Sequence, residues 1–381
     1  MKAKTKLLIL TVMLVLGLSL WAVTSRFYDS KQLSSTLVTS IVQDGRGYIW
    51  MATEYGLNKY DGVRYTQYFH EDDDTTSLAS NNVKRLFVDK EGRLWLAVSA
   101  SVQLYSPQGN GFSTVNFIPA DDDIFPRDFF QDKDGKLYVL TSLCGLYQID
   151  IQKMQATPVS SISKYLKGDE AYDVLKDNQN RIWVRAKNQV YLFGKHVKTF
   201  FANATDFGDK ICCLIMEKGK MYAFSHNHVF VFDEASQHFH TCFDLHVGMS
   251  PILTYTNQKG EVILTVDKKG IYKVDFQSKS VQEIKYTQES SIDLSQSQIS
   301  AFLEDNAHQT WIGCLQKGVY SLRRDDYPFH YMPLSNDEGV GCLFSDSQGK
   351  LYVGKGYDGL QAMGKEGLEG RITVSYTHLT L

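Results

Sequence analysis

The chain has 381 residues, 43% of them hydrophobic, and 40 basic against 43 acidic residues give a formal net charge of −3. That apolar content suffices for a large core, and a single domain of roughly 300 residues would use most of the chain. The near-balanced, scattered charge argues against a nucleic-acid surface, so no nucleic-acid partner is expected for this region. At the N-terminus Lys2, Lys4 and Lys6 precede Leu7 to Val23, an apolar run of 17 residues. A basic segment followed by such a run is the pattern of an export signal, so residues 1–25 read as a signal peptide or an N-terminal membrane segment. Ala22 and Ser25 are small residues that offer cleavage points, and the run is also long enough to stay as an uncleaved anchor. No Cys follows closely, which argues against a lipoprotein.

From Ser40 to Leu360 the sequence repeats eight times with a period of about 43 residues, built on Asp-x-x-Gly-x-apolar-aromatic. The turn acid runs Asp44, Asp89, Asp132, Asp177, Glu217, Asn257, Asp305, Asp346. Six residues later stand Trp50, Trp95, Tyr138, Trp183, Ile263, Trp311 and Tyr352, and the fifth copy, one residue shorter, places Tyr222 five after Glu217. Each unit reads as strand, turn, strand, turn, strand, and a further run such as Val63 to Phe69 or Phe112 to Phe117 supplies a fourth strand. Several short strands per unit at this period predict an all-β, seven-bladed β-propeller of four-stranded blades over 26–334. The long break RRDDYPFHYMPLSNDEG after copy seven sets the eighth copy outside the ring, as the first blade of a second propeller over 335–372; an eight-bladed ring is the alternative. The regularly recurring aromatic is expected to pack between neighbouring blades. Val374 to Leu381 has no place in the repeat and resembles a translated sequencing adaptor, so 373–381 reads as a non-native tail.

Candidate chemistry is sparse. The acidic runs at 71–74 and 121–123 lack the alternating spacing of a calcium loop and read as solvated loops. Cys212 and Cys213 are adjacent, Cys144 and Cys314 fall near second hairpins of different repeats, and Cys242 and Cys342 have no repeat-equivalent partners, which favours buried thiols over disulfides. Histidines cluster as His226 and His228, then His238 and His240, then His246; residues two apart on a strand share a face and could reach one metal. Polar hairpins would satisfy them equally well, and no metal site, cofactor or catalytic set is expected.

The stretch from Ser34 to Val98, with Asp-x-x-Gly-x-Ile-Trp, Gly-Leu-Asn-x-Tyr-Asp-Gly and Ser-Leu-Ala-Ser-Asn-x-Val in succession, resembles the two-component regulator propeller repeats of bacterial hybrid sensors. The likeness extends over residues 33 to about 364 and weakens in copies four to six, where Asn180 replaces the turn Gly and Ile263 the aromatic. It implies a periplasmic region of an inner-membrane, homodimeric sensor in which two propellers precede a β-sandwich, a membrane helix, a histidine kinase and a receiver with a DNA-binding module. Such sensors respond to oligosaccharides and regulate polysaccharide utilisation, so this chain is expected to sense an oligosaccharide without catalysing a reaction. A protein-binding propeller scaffold and a propeller lyase or lactonase are the rival readings. The second hairpins share one rim, so Tyr55, Arg185, Lys187, His226, Lys268, Lys269, Lys317 and Tyr357 are the candidate ligand contacts, with ordinary solvated hairpin tips as the alternative.

Overall fold

The computed structural model describes residues 23–28, 32–120, 124–201, 210–245, 249–284, 294, 297–324, 340–346, 350–355, 359–364 and 367–372. The chain forms two compact units, Met1–Asp325 and Asp326–Leu381. The first is a seven-bladed propeller in which each blade is a four-stranded antiparallel sheet ordered from an inner to an outer strand, blade three adding a fifth, Asn116–Phe117, parallel to its outer strand Gln155–Pro158. The inner strands are Val38–Gln43, Val83–Val88, Pro126–Gln131, Ala171–Lys176, Cys213–Glu217, Pro251–Thr256 and Gln298–Glu304. Each meets the inner strand of the next blade, and the seventh meets the first, so together they wall the central channel.

The repeat's turn explains both its acid and its aromatic. In blade one Asp44 Oδ1 accepts from the Arg46 and Tyr48 amides at 2.9 and 3.0 Å, while Oδ2 accepts from Trp50 Nε1 at 2.7 Å. The same indole bond recurs from Trp95 to Asp89, Trp183 to Asp177 and Trp311 to Asp305 at 2.8–2.9 Å. A buried indole N–H needs an acceptor, so acid and tryptophan form one device at fixed spacing. Blade six omits both members: Ile263 has no donor, and Asn257 keeps the turn bonds of its Oδ1 to the Lys259 and Glu261 amides and donates through Nδ2 to Glu261 Oε2 at 2.9 Å. The turn's fourth residue needs positive φ, and Gly47 at 89° is replaced by Asn180 at 63° and His308 at 58°. Neighbouring turns also touch: the Gly45 amide donates to Gly92 O, and a Cβ on Gly45 would lie 2.7 Å from Gly92 Cα.

The expected interblade packing is what the tryptophans do. Trp50 packs with Leu86, Leu94 and Tyr105 of blade two, Trp95 with Phe129 and Leu137 of blade three, Trp183 with Ala223 and Phe232 of blade five, and Trp311 with Ile41 and Met51 of blade one. All four are fully buried, and each removes on the order of 4–6 kcal/mol worth of apolar surface from water before ordering costs. Seven such clusters, one at each blade junction, make up the core.

Two features depart from a simple reading of the repeat. The outer strand of blade seven is Val23–Tyr28, which pairs antiparallel with Gly318–Arg324, so the ring is sealed by residues from before the first repeat. This strand shares Val23 to Ser25 with the apolar N-terminal segment. Between blades three and four, Ser160–Leu166 forms a single short helix that no periodicity marked. In the second unit, Val340–Ser345, Leu351–Lys355, Gly359–Gly364 and Gly367–Ile372 form a four-stranded sheet with the same turn, Lys350 N and Tyr352 OH donating to Asp346. No helix among the described residues is long and apolar enough to cross a membrane.

Candidate functional site at the channel mouth

Because four antiparallel strands alternate in direction, the second hairpins and the loops between blades share one face of the ring. Every inner strand but the fifth of the ring opens there with a register shift, as at Val83/Arg85, Pro126/Asp128 and Ala171/Asp173. Such a bulge re-aims a side chain. The bulge position, five before the turn acid, holds Thr39, Lys84, Arg127, Tyr172, Cys212, Ile252 and Ser300 around the ring. The next position inward, four before the acid, holds Ser40, Arg85, Asp128, Asp173, Cys213, Leu253 and Ala301.

In blades seven and one the bulge residue is a short hydroxyl that ties adjacent blades: Ser300 Oγ donates to Val38 O at 2.5 Å, and Thr39 Oγ1 to Val83 O at 2.6 Å. In blades two to four both positions are long or charged. Arg85 Nε donates to Asp128 Oδ1 at 3.1 Å, and Asp128 Oδ2 accepts from Val174 N at 3.3 Å, linking three blades. Arg185, on the second strand of blade four, faces its register partner Asp173 and donates to it through Nε. Burial pushes the Asp128 carboxyl above the usual aspartate value, with Arg85 opposing the rise. Arg185 is held above the ordinary arginine value, burial working against it and Asp173 outweighing burial. Above this layer Glu170 accepts from Lys187 Nζ at 3.1 Å and lies 3.9 Å from Arg127. The Tyr172 ring lies under Arg185 at 4.7 Å and Arg127 at 6.0 Å. Lys187 holds the Glu170 carboxyl below the ordinary glutamate value.

Of the sequence candidates, the structure brings Arg185, Lys187 and His226 to this neighbourhood. Arg185 sits in a strand facing the channel wall, not at a hairpin tip, and its charge acts on Cys212, whose Sγ lies 3.4 Å from His226 Nδ1. Burial pushes the Cys212 thiol up to about 11 and raises the Cys213 thiol well above its ordinary value, so both stay protonated at neutral pH. The others are distributed around the rim: Tyr55 stands by Phe69, Lys317 donates to Ser297 Oγ at 3.0 Å, and Lys268 and Lys269 are exposed in the hairpin of blade six. Tyr357 and His246 lie outside the described residues. The remaining histidines take separate partners, His228 with Asp244 at 2.8 Å and His240 with Ser236 at 2.9 Å, and His238 meets Ser236 O. Among the described residues no three His, Cys, Asp or Glu side chains converge to hold a metal. The cysteines form no disulfide; Cys213 and Cys314 are buried, and Cys342 is exposed.

Sequence reasoning missed Arg85, Arg127, Asp128, Glu170, Tyr172 and Asp173. Four of these would emerge from stacking the eight copies and reading the columns four and five before the turn acid, where charge is confined to copies two to four, and Tyr172 lies in the same columns. Beside the cluster, Lys187, Gln189, Phe201 and Lys210 border a depression of ≈ 10 Å³, room for about one water molecule. A ligand at this surface would therefore lie on it and not inside an enclosing pocket of roughly 300–1,000 Å³. The paired charges and exposed cations of this surface suit binding and charge recognition.

Residues 32–55 and 77–100 match the two-component regulator propeller repeat. Among solved structures the chain is similar to the extracellular domain of the hybrid two-component system BT3049 from B. thetaiotaomicron, with a TM-score of 0.68 and 21% identity over 92% of this chain and 49% of that one. The extracellular domain of the hybrid system BT4673 from the same organism gives 0.64 and 17% over 85% and 45%. Virginiamycin B lyase from Staphylococcus aureus gives 0.59 and 10% over 79% and 99%. At these identities the likeness is one of fold, and the chain spans about half the length of the two extracellular domains. No curated protein matches it. Blades one and two therefore carry two-component regulator propeller repeats, in a ring with the fold of the extracellular domains of hybrid two-component systems.

Proposed function

We propose that this chain is the extracytoplasmic, periplasmic ligand-sensing region of a hybrid two-component sensor, and that it recognises an oligosaccharide at the channel mouth over blades two to four. The observation that supports this reading is the confinement of charge, and of the Tyr172 ring, to one arc at these two inner-strand positions, which are uncharged in the other blades. A sensor needs no chemistry at that arc; differential affinity for two states of the protein suffices, with a coupling of about 1–3 kcal/mol. The signal would pass through rearranged propeller and dimer contacts to a kinase controlling polysaccharide utilisation. The eighth sheet fits the first blade of a further ring: its inner-strand Leu343 is 64% exposed, whereas its equivalents Ile41, Leu86, Phe129 and Val174 are buried.

Calorimetric titration of host and plant oligosaccharides into the complete extracytoplasmic region tests the reading. We expect one class of glycan to bind, and Arg185→Ala to weaken that binding. Binding of a peptide or protein partner with no glycan response would replace the sugar sensor by a protein-binding scaffold.

A further inference from the structure

Resting on that reading, we propose that the mouth over blades three and four takes the oxyanion of an acidic saccharide, a carboxylate or sulfate substituent, with Arg127 as the fork that grips it and Lys187 as the second cation. The bulge carries the argument. Strand pairing passes from Pro126 with Thr141 to Asp128 with Leu140, leaving Arg127 opposite no residue at the channel mouth. The wall arginines Arg85 and Arg185 each hydrogen-bond a carboxylate. Arg127, whose side chain is 39% exposed, differs in its partners: among the described residues they are Glu170 at 3.9 Å, beyond hydrogen-bond range, and the Tyr172 ring.

Glu170 is already held by Lys187, so this one carboxylate leaves the Arg127 fork without a hydrogen-bonded anion. The other acids nearby are engaged: Asp128 with Arg85, Asp173 with Arg185, and Asp169 Oδ2 with Gln189 and Tyr191. A carboxylate, or two oxygens of a sulfate group, matches the guanidinium fork with two parallel hydrogen bonds, which an ammonium cannot supply. An apolar face for a sugar ring flanks this corner. Phe125, two residues before Arg127, is 41% exposed, and the bonds from Ser142 N to Phe125 O, Ala171 N to Ser142 O and Lys187 N to Glu170 O fix these segments together.

The test titrates the full-length protein with matched pairs: an oligogalacturonide and its methyl ester, and a sulfated galactan fragment and its desulfated form. We expect at least one charged probe to bind, its neutral counterpart to bind about tenfold or more weakly, and Arg127→Gln to cost about 10–100-fold toward the charged probe alone. Arg127→Lys should restore only part of the loss, and unchanged thermal melting of both variants would show that the fold is intact. Whichever charged probe binds identifies carboxylate or sulfate as the source. Equal affinity for a charged probe and its neutral partner, or an unaffected Arg127→Gln variant, would overturn the oxyanion assignment while leaving a sugar sensor standing. Binding of none of the four probes overturns it as well, and the wider glycan titration then decides the sensor reading.

Discussion

The two faces of the ring obey different rules. On the first-hairpin face, four blades repeat one device, an aspartate that closes the turn and accepts the indole hydrogen of the tryptophan six residues on. On the opposite face the equivalent positions of the inner strands differ from blade to blade, hydroxyls in seven and one, charges in two to four, Ile252 and Leu253 in six. Residues that do the same work in every blade hold the ring together. Where neighbouring blades depart together from the common solution, and the departing side chains meet in space, the departure marks a site.

The largest effects should come from the repeated device. Trp183→Ala empties a fully buried interblade position and should cost about 3–5 kcal/mol. Asp177→Ala leaves the Trp183 indole, the Gln179 and Arg181 amides and the Arg181 Nε without their acceptor, and should cost about 1–3 kcal/mol. The same change at Asn257 removes turn bonds but no indole or guanidinium bond, so it should cost less. Equilibrium denaturation checks all three, and equal losses at Asp177 and Asn257 would break the argument that acid and indole act as one device.

The charged arc should respond to pH. Arg85→Met leaves Asp128, whose side chain is only 12% exposed, with no guanidinium. Removing one partner of a fully buried pair costs about 3–5 kcal/mol; because Arg85 is itself 42% exposed to the channel, about 1–2 kcal/mol is expected. Asp128 already lies above the usual aspartate value, and without Arg85 it rises further. An acid raised in the folded state favours folding while protonated and loses that contribution as pH rises through its folded value. The gap between variant and native protein should therefore be smallest in acid and widen as pH rises above the usual aspartate range, following the folded-state titration of this one carboxyl. A gap that does not change with pH would show that Arg85 acts by packing alone.

The repeat, its strands and the seven-bladed ring were legible because each blade signs itself with the same turn and aromatic. The seal of the ring was not. Val23 to Tyr28 is a short β-prone run abutting an apolar segment, and nothing within it names Gly318–Arg324 as its partner. The helix Ser160–Leu166 has only seven residues, too few to show a period. Of the site, Arg185 and Lys187 were found as rim cations, but their partners were not. The contacts Arg85 to Asp128 and Asp128 to Val174 cross blades more than 40 residues apart, and only the interblade register brings them together.

The smallest effect is expected where the sequence suggested a contact that the structure leaves outside the arc. Lys268 and Lys269 are exposed in the second hairpin of blade six, and no side-chain bond of either is seen among the described residues. Lys268 holds φ at +50°, a turn conformation that alanine tolerates no worse than lysine. Changing both to Ala should therefore alter stability by no more than about 0.5 kcal/mol. Glycan affinity should also stay unchanged, apart from a small loss at low salt from two fewer distant positive charges, which screening by about 0.15 M salt removes. If the double variant instead weakens binding at that salt as much as Arg127→Gln does, the ligand spans the ring to blade six. The contrast between a charged arc and a plain remainder would then fail as a guide to the site.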